Sequence, residues 1–322
     1  MKGEKMTFEH TTVLLNEMIE QLNIKSDGIY VDATFGGGGH TRRLLDEVGL
    51  NGTVIAFDQD ELAISHGKQR FDEEITQGRL ILKHSNFRQM KDTLNELNIS
   101  EIDGCCFDLG ISSPQVDLPE RGFSYRYDAP LDMRMDQRQA LTAATIINDW
   151  DYAELVRIFY RYGEEKFSKQ IARRIEQVRV TQPIRTTLEL VDIIRDVIPQ
   201  PARRKGGHPA KRIFQALRIA VNDELGAAED GITDAVELLA IGGRVGVISF
   251  HSLEDGLVKH LFRDYTIAPE TPRNLPILPN EMKLDYQLVH RKPIRPSDEE
   301  ITANKRAQSA QLRTIERIGK AN

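Results

Sequence analysis

The chain has 322 residues, with 43 Lys and Arg against 49 Asp and Glu for a formal charge of −6, and 40% of the residues are hydrophobic. That length exceeds one average domain, and the composition supplies a sizeable core, which excludes a disordered polymer. No apolar run exceeds four residues, which excludes a membrane-spanning helix; with no signal-peptide core in Met1–Phe8, a cytoplasmic protein without a membrane partner is expected.

From Thr11 to Leu22, the residues Val13, Leu14, Met18, Ile19 and Leu22 follow a helical period. Ile29–Asp32 reads as a short buried strand running into Gly36–Gly39, followed by a helix to Val48. A second strand, Thr53–Phe57, ends at Asp58, and a helix from Glu61 leads to a strand at Leu80–Leu82. A helix near Met90–Leu97 and a strand at Ile102–Phe107 complete the first third. Strands alternating with helices predict an α/β fold with a mostly parallel sheet covered on both faces. The two cysteines, Cys105 and Cys106, are adjacent, too few for a disulfide framework or a Cys-based zinc site, and no metal is expected.

The rhythm then breaks. The next strand, Arg244–Phe250, follows Gly242-Gly243, so residues 109 to 243 separate two core strands. A parallel crossover needs one helix and two loops, which leaves roughly 100 residues over. The surplus begins with a Pro-, Gly- and Asp-rich loop, Gly110–Asp136, and continues as amphipathic stripes. Tyr152, Leu155, Val156, Phe159 and Tyr160 form one stripe; Phe167, Ile171, Ile175 and Val178 a second; Leu188, Val191, Ile194 and Ile198 a third. The helix Lys211–Leu225 is read as returning to the α/β core. The expectation is a helical domain inserted into an α/β domain.

The glycine turn sits where the first strand meets the next helix, the usual ligand position in such sheets. A P-loop would end in Gly-Lys-Ser/Thr, and His40-Thr41 does not; the dinucleotide pattern fails because Thr41 or Arg42 falls at its third glycine. Pyrophosphate is therefore disfavoured. What remains is an acid at the first strand end and a second, Asp58, 19 residues after Gly39, suited to accept hydrogen bonds from two ribose hydroxyls. Ribose without pyrophosphate points to S-adenosylmethionine.

Asp108-Leu109-Gly110-Ile111-Ser112-Ser113-Pro114-Gln115 follows the fourth strand. It resembles the Asp/Asn/Ser-Pro-Pro-aromatic motif of amino-group methyltransferases, lacking the second proline and the aromatic residue. An exocyclic amine is a poor nucleophile because its lone pair is delocalised into the ring. Acceptors that hold its hydrogens favour a pyramidal nitrogen, so positioning and desolvation dominate and no metal is required. Asp108, with Ser113 of the motif, is the candidate for that task. Ser252 with Asp255 reads as a capping box. His10, His208 and His251 lack metal-ligand spacing. Phe123, Tyr125 and Tyr127 interleave with Arg121 and Arg126, as base-stacking or as ordinary packing.

Further blocks accompany these: His10–Leu15, Glu120–Ser124, Pro130–Met135, Tyr162–Glu165, His208–Ala210, Phe214–Ile219, Ile248–Asp255 and Arg306–Arg313. In order and nearly end to end, they resemble the bacterial MraW (RsmH) family, which methylates the N4 amine of a cytidine in the decoding region of 16S rRNA. The resemblance implies a class I methyltransferase fold (Rossmann-like), with a discontinuous cofactor domain at 1–115 and 212–322 and an inserted helical domain at 116–211 for RNA recognition. It implies S-adenosylmethionine contacts at Gly38, Gly39, His40, Asp58, Phe87, Asp108 and Gln115, and 16S rRNA in the small ribosomal subunit as partner. The segment Asp264–Leu288 matches poorly, and a homodimer is not excluded. The alternatives are an amino methyltransferase acting on another nucleic acid or a protein, and a non-catalytic ribosome-assembly factor, which the intact Asp58 and glycine turn disfavour. A nicotinamide dehydrogenase is disfavoured by the missing third glycine. Gln200–Ala220 holds six basic residues (Arg203, Arg204, Lys205, Lys211, Arg212, Arg218) and no acid, and Lys305–Lys320 holds five against Glu316, so net acidity does not exclude an RNA partner.

Overall fold

The computed structural model describes residues 12–203, 207–267 and 284–319. His10, Arg204, Lys205 and Lys320 lie outside the described residues, as does 268–283 of the poorly matching segment. The chain divides into two compact units, Met1–Gly110 with Leu225–Asn322, and Ile111–Glu224.

Among the described residues the first unit is built on seven strands: β1 (Ile29–Asp32), β2 (Thr53–Asp58), β3 (Leu80–His84), β4 (Ile102–Asp108), β5 (Leu239–Ser249), β6 (Tyr286–Leu288) and β7 (Gln311–Arg317). Their order is β3-β2-β1-β4-β5-β7-β6. Strands β1 to β5 pair in parallel, and β7 runs antiparallel between β5 and β6. Because both faces are covered, the central strands are largely apolar. Val31, Ile55, Phe57, Phe107 and Val247 face one core with Ala228 and Ile232, and Tyr30, Val54, Ala56 and Ile248 face the other with Met18 and Leu44. Strand β5 starts earlier than its apolar run suggests; the pairing shifts between Ile102–Leu239 and Gly104–Arg244.

Strands β6 and β7 are absent from the sequence reading, which took Lys305–Lys320 as a basic run. In β7, Leu312, Thr314 and Ile315 are buried. Arg313 donates two hydrogen bonds to the Asp255 carboxylate, at 2.7 and 3.0 Å. Arg317 sits 3.6 Å from Glu101 and donates to the Leu239 carbonyl. Both side chains are therefore spent within the fold, which corrects the expectation that they meet phosphates.

The second unit is helical: Ala143–Asp149, Tyr152–Arg161, Ser168–Arg179, Thr187–Val197 and Lys211–Asn222, with short turns between. Three of these start at side-chain caps, Thr142, Asp151 and Thr186, which satisfy orphan amides of the first turn. The core contains Leu155, Ile158, Phe159, Ile171, Ile175, Leu190, Ile194, Ile213 and Leu217. Tyr160 is not part of it, being 68% exposed; one residue beyond Phe159, it is turned about 100° around the helix.

Lys211–Asn222, expected in the α/β core, buries Ile213, Phe214, Leu217 and Val221 among these helices. It ends at Asp223, φ +46°, so the unit boundaries fall at 110/111 and 224/225 instead of 115/116 and 211/212. The glycine- and proline-rich loop is held from within: buried Arg121 donates to the carbonyls of Arg134 and Met135, and Asn222 accepts from the Met135 amide while donating to the Met133 carbonyl. Phe123 is buried in this core, whereas Tyr127 is 52% exposed. Arg218 is spent on Glu224, at 2.8 and 2.9 Å. Replacing the fully buried ring in Phe159→Ala is expected to lower unfolding free energy by about 3–5 kcal/mol, read from the urea midpoint at unchanged m.

Candidate active site

The site follows from strand register. Asp32, the last residue of β1, pairs with Ala56 of β2 and Cys106 of β4. Those strands each run two residues further, to Asp58 and Asp108. Side chains alternate with period two, so Asp32, Asp58 and Asp108 share one face around the notch that β1 leaves. This is also where strand order reverses, between β2 and β4, the place where open α/β sheets bind ligands.

The turn after β1 closes the notch. Ala33 N donates to the Cys106 carbonyl at 2.9 Å and Phe35 N to the Phe57 carbonyl at 2.8 Å, tying the turn to both neighbours. Thr34 N donates to Asp32 Oδ1, and Asp108 N donates to Thr34 Oγ1 at 2.7 Å. Gly36 N donates to Asp58 Oδ2 and Asp60 N to Asp58 Oδ1, each at 2.8 Å. Asp58 thus fixes the glycine turn before any ligand arrives, and each oxygen keeps a second lone pair.

Gly36 (φ +51°) and Gly38 (φ +75°) adopt left-handed conformations that favour glycine. A Cβ on Gly38 would lie 2.7 Å from Phe71, and one on Gly39 would overlap the Thr12 hydroxyl. Close packing inside the protein thus demands glycine at both positions, whatever else the turn's backbone contacts. His40 is buried in the first turn of the helix Gly39–Glu47. Phe87 follows Asn86, which caps the short turn Phe87–Gln89. The Phe87 ring stands edge-on to Phe107 at 5.5 Å and is only partly buried. Gly231 makes room for it, since a Cβ there would lie 2.6 Å from the ring; nothing in the spacing of Gly231 signals this.

Burial raises all three carboxyl pKa values. Asp32 is raised despite hydrogen bonds from Thr41 and Thr34. Burial pushes Asp58 up to about 7 against the amides of Asp60 and Gly36. Asp108 is pushed up to about 8, by burial first and then by the charges of Asp32 and Glu254. Among the described residues none of the three is in an ion pair, and Asp108 Oδ1, shielded from solvent, has no hydrogen-bond partner. The notch gathers three carboxyls that, among the described residues, have no cation beside them, and it fits a ligand that carries ribose hydroxyls and positive charge together.

At the end of β5 the cap differs from the expected Ser252–Asp255 pair. His251 Nδ1 accepts from Glu254 N, and Glu254 Oε2 accepts from the amides of Phe250 (2.7 Å) and His251 (3.3 Å). Asp255 is instead the partner of Arg313. Ser113 and Gln115 fall in the second unit, on the helix Ser113–Asp117. Gln115 is buried, and its side-chain oxygen accepts from Ser112 N at 3.0 Å, completing a capping box.

A parallel sheet with a reversed strand near its edge, a glycine turn at the switch point and acids ending β1, β2 and β4 define a class I S-adenosylmethionine-dependent methyltransferase. Residues 7–318 match the MraW methylase family, and the chain belongs to it. A curated relative from Lactiplantibacillus plantarum, ribosomal RNA small subunit methyltransferase H, is 57% identical over 312 residues, covering 97% of this chain and 98% of its own. A relative of the same name from Leuconostoc mesenteroides is 58% identical over 312 residues, covering 97% and 100%.

Raised folded-state pKa values mean that Asp58 and Asp108 hold protons in the native state that they release on unfolding. Their contribution to stability is fully present below the ordinary carboxyl value of 3.8 and is lost as pH rises through about 7 and about 8. The thermal midpoint of the ligand-free protein is therefore expected to fall between pH 5 and 8, relative to the rest of its pH profile, and Asp108→Asn to flatten that fall, measured by calorimetry.

Proposed function

We propose that the chain methylates the exocyclic N4 amine of a cytidine in the decoding region of 16S rRNA, in the cytoplasm and within the small ribosomal subunit. The observation that carries the mechanism is the buried, unpartnered Oδ1 of Asp108 at the C-terminal end of β4. S-adenosylmethionine, when bound, supplies an electrophilic methyl carbon beside a sulfonium charge that disappears on transfer.

The protein's own residues do the rest. Asp58 accepts from the ribose hydroxyls while its other lone pairs hold the glycine turn. Phe87, with one side on Phe107, offers the remaining ring surface to the adenine. Gly38, Gly39, His40 and Gln115 also serve the donor, and Asp108 and Ser113 serve the amine. An acceptor on an amine hydrogen draws the nitrogen lone pair out of conjugation and takes up the proton that leaves after transfer. A carboxyl with a pKa near neutrality suits that task, since a base works best close to the operating pH. A cation in the notch would bring Asp108 back to its charged, accepting form. The identical activity named for both relatives, at 57% and 58% identity over nearly the whole chain, supports the rRNA substrate.

Two measurements test the reading. Calorimetry is expected to show S-adenosylmethionine binding and no NAD binding, with Asp58→Ala weakening the former about ten- to a hundredfold through the loss of charged hydrogen bonds; unchanged affinity would remove Asp58 from the ribose. Mass spectrometry of rRNA from a strain lacking the protein is expected to show one N4-methyl cytidine lost, and its persistence would overturn the substrate assignment.

A further inference from the structure

Of the eleven basic residues that form the two conspicuous runs, Arg218, Arg313 and Arg317 are paired within the fold. The folded chain gathers a different set. In the second unit the turn after the helix Tyr152–Arg161 lies against the start of the helix Lys211–Asn222. A Cβ on Gly163 would sit 2.7 Å from the Arg212 carbonyl oxygen and 2.8 Å from that of Phe159. Arg212 Nη1 donates to the Glu164 carbonyl at 3.1 Å, and Gln215 Nε2 donates to the Tyr162 carbonyl at 2.9 Å. Glycine at 163 is thus what lets two distant stretches of chain meet.

The meeting brings Arg161, Lys166 and Lys169 to the same end of the unit as Lys211 and Arg212. All five side chains are exposed, and among the described residues none of them is in an ion pair. Helix electrostatics does not account for them: Lys169 and Lys211–Arg212 occupy first turns that contain no acid, where the helix dipole disfavours positive charge. Glu164 adds one exposed acid to five cations. Three residues before Lys211, exposed His208 stacks on Tyr125, with ring centroids 4.3 Å apart and planes 9° from parallel, and Phe214 braces Tyr125 edge-on at 5.6 Å. The outer face of the imidazole is held at a fixed angle by that stack.

We propose that this end of the inserted unit is a binding face for single-stranded RNA, with Lys166, Lys169 and Lys211 on successive phosphates and His208 as a platform for one unstacked base. Point cations drawn from separate segments track a backbone, and a braced ring supplies the stacking that sequence-tolerant single-strand binders use. Duplex RNA would leave the platform idle because its bases stay stacked. The proposal rests on the rRNA reading above and adds where the substrate is gripped away from the methyl-transfer chemistry.

The test uses the full chain and a fluorescein-labelled single-stranded RNA oligonucleotide of decoding-region sequence, with anisotropy followed across a potassium chloride series. Combining Lys166→Glu, Lys169→Glu and Lys211→Glu is expected to weaken binding more than about tenfold and to reduce the slope of log affinity against log salt by about 2. His208→Ala is expected to weaken binding about five- to a hundredfold with the slope unchanged. Calorimetric S-adenosylmethionine affinity should be unaltered in both. Unchanged RNA affinity and slope in the charge-reversed protein overturn the proposal. So does intact oligonucleotide binding with loss of small-subunit binding, which would give the face to a ribosomal protein. Should charge reversal unfold the chain, Lys166→Gln with Lys211→Gln reads the same slope, with an expected fall of about 1.4. RNA binding through this face without rRNA methylation would refute the functional reading and leave the proposal standing.

Discussion

Everything at the cofactor end of the sheet depends on β1 stopping two residues short of its neighbours. The early stop leaves the turn Ala33–Gly38 free to bridge β2 and β4, and it leaves Asp58 and Asp108 as the ends of two strands facing one notch. Holding three carboxyls there without a cation is unfavourable, and the structure meets the difficulty with backbone amides on Asp58 and by raising the pKa of all three. The binding site is therefore an electrostatic deficit fixed by hydrogen bonding before a ligand supplies the missing charge.

Much of this was legible in the residues. The glycine turn between an apolar strand and a helix, followed by an acid at the end of the next strand, located both the switch point and Asp58. The apolar runs located β1 to β5, because strands of a covered parallel sheet carry few polar positions to disguise them. Asp108 was legible from its place after the fourth strand. Its missing hydrogen bond was not, since that depends on the register of β4 against β1.

What escaped the sequence did so for identifiable reasons. Strand β7 is punctuated by Arg313 and Arg317, whose charges are neutralised by Asp255 and Glu101, residues remote in the chain. The helix Lys211–Asn222 has an apolar face that either core could have taken, and only contact decides for the second unit. Gly38 and Gly39 suggest a ligand, and the packing against Phe71 and Thr12 that also demands glycine there is invisible in the sequence. A glycine reports that something approaches closely without saying whether it is a cofactor or the protein itself.

The place of β7 in the sheet bears on how the molecule is made. It is the last of the described strands, yet it lies between β5 and β6, hydrogen-bonded along Arg244–Ser249 on one side and Tyr286–Leu288 on the other. During synthesis β5 therefore keeps an unpaired edge until residues 311–317 emerge, and among the described residues β6 has no strand to pair with before then. A nascent chain in that condition exposes a strand edge that can pair with the wrong partner. Completion of the sheet is a long-range event, and a chain cut before Gln311 lacks an interior strand of the sheet.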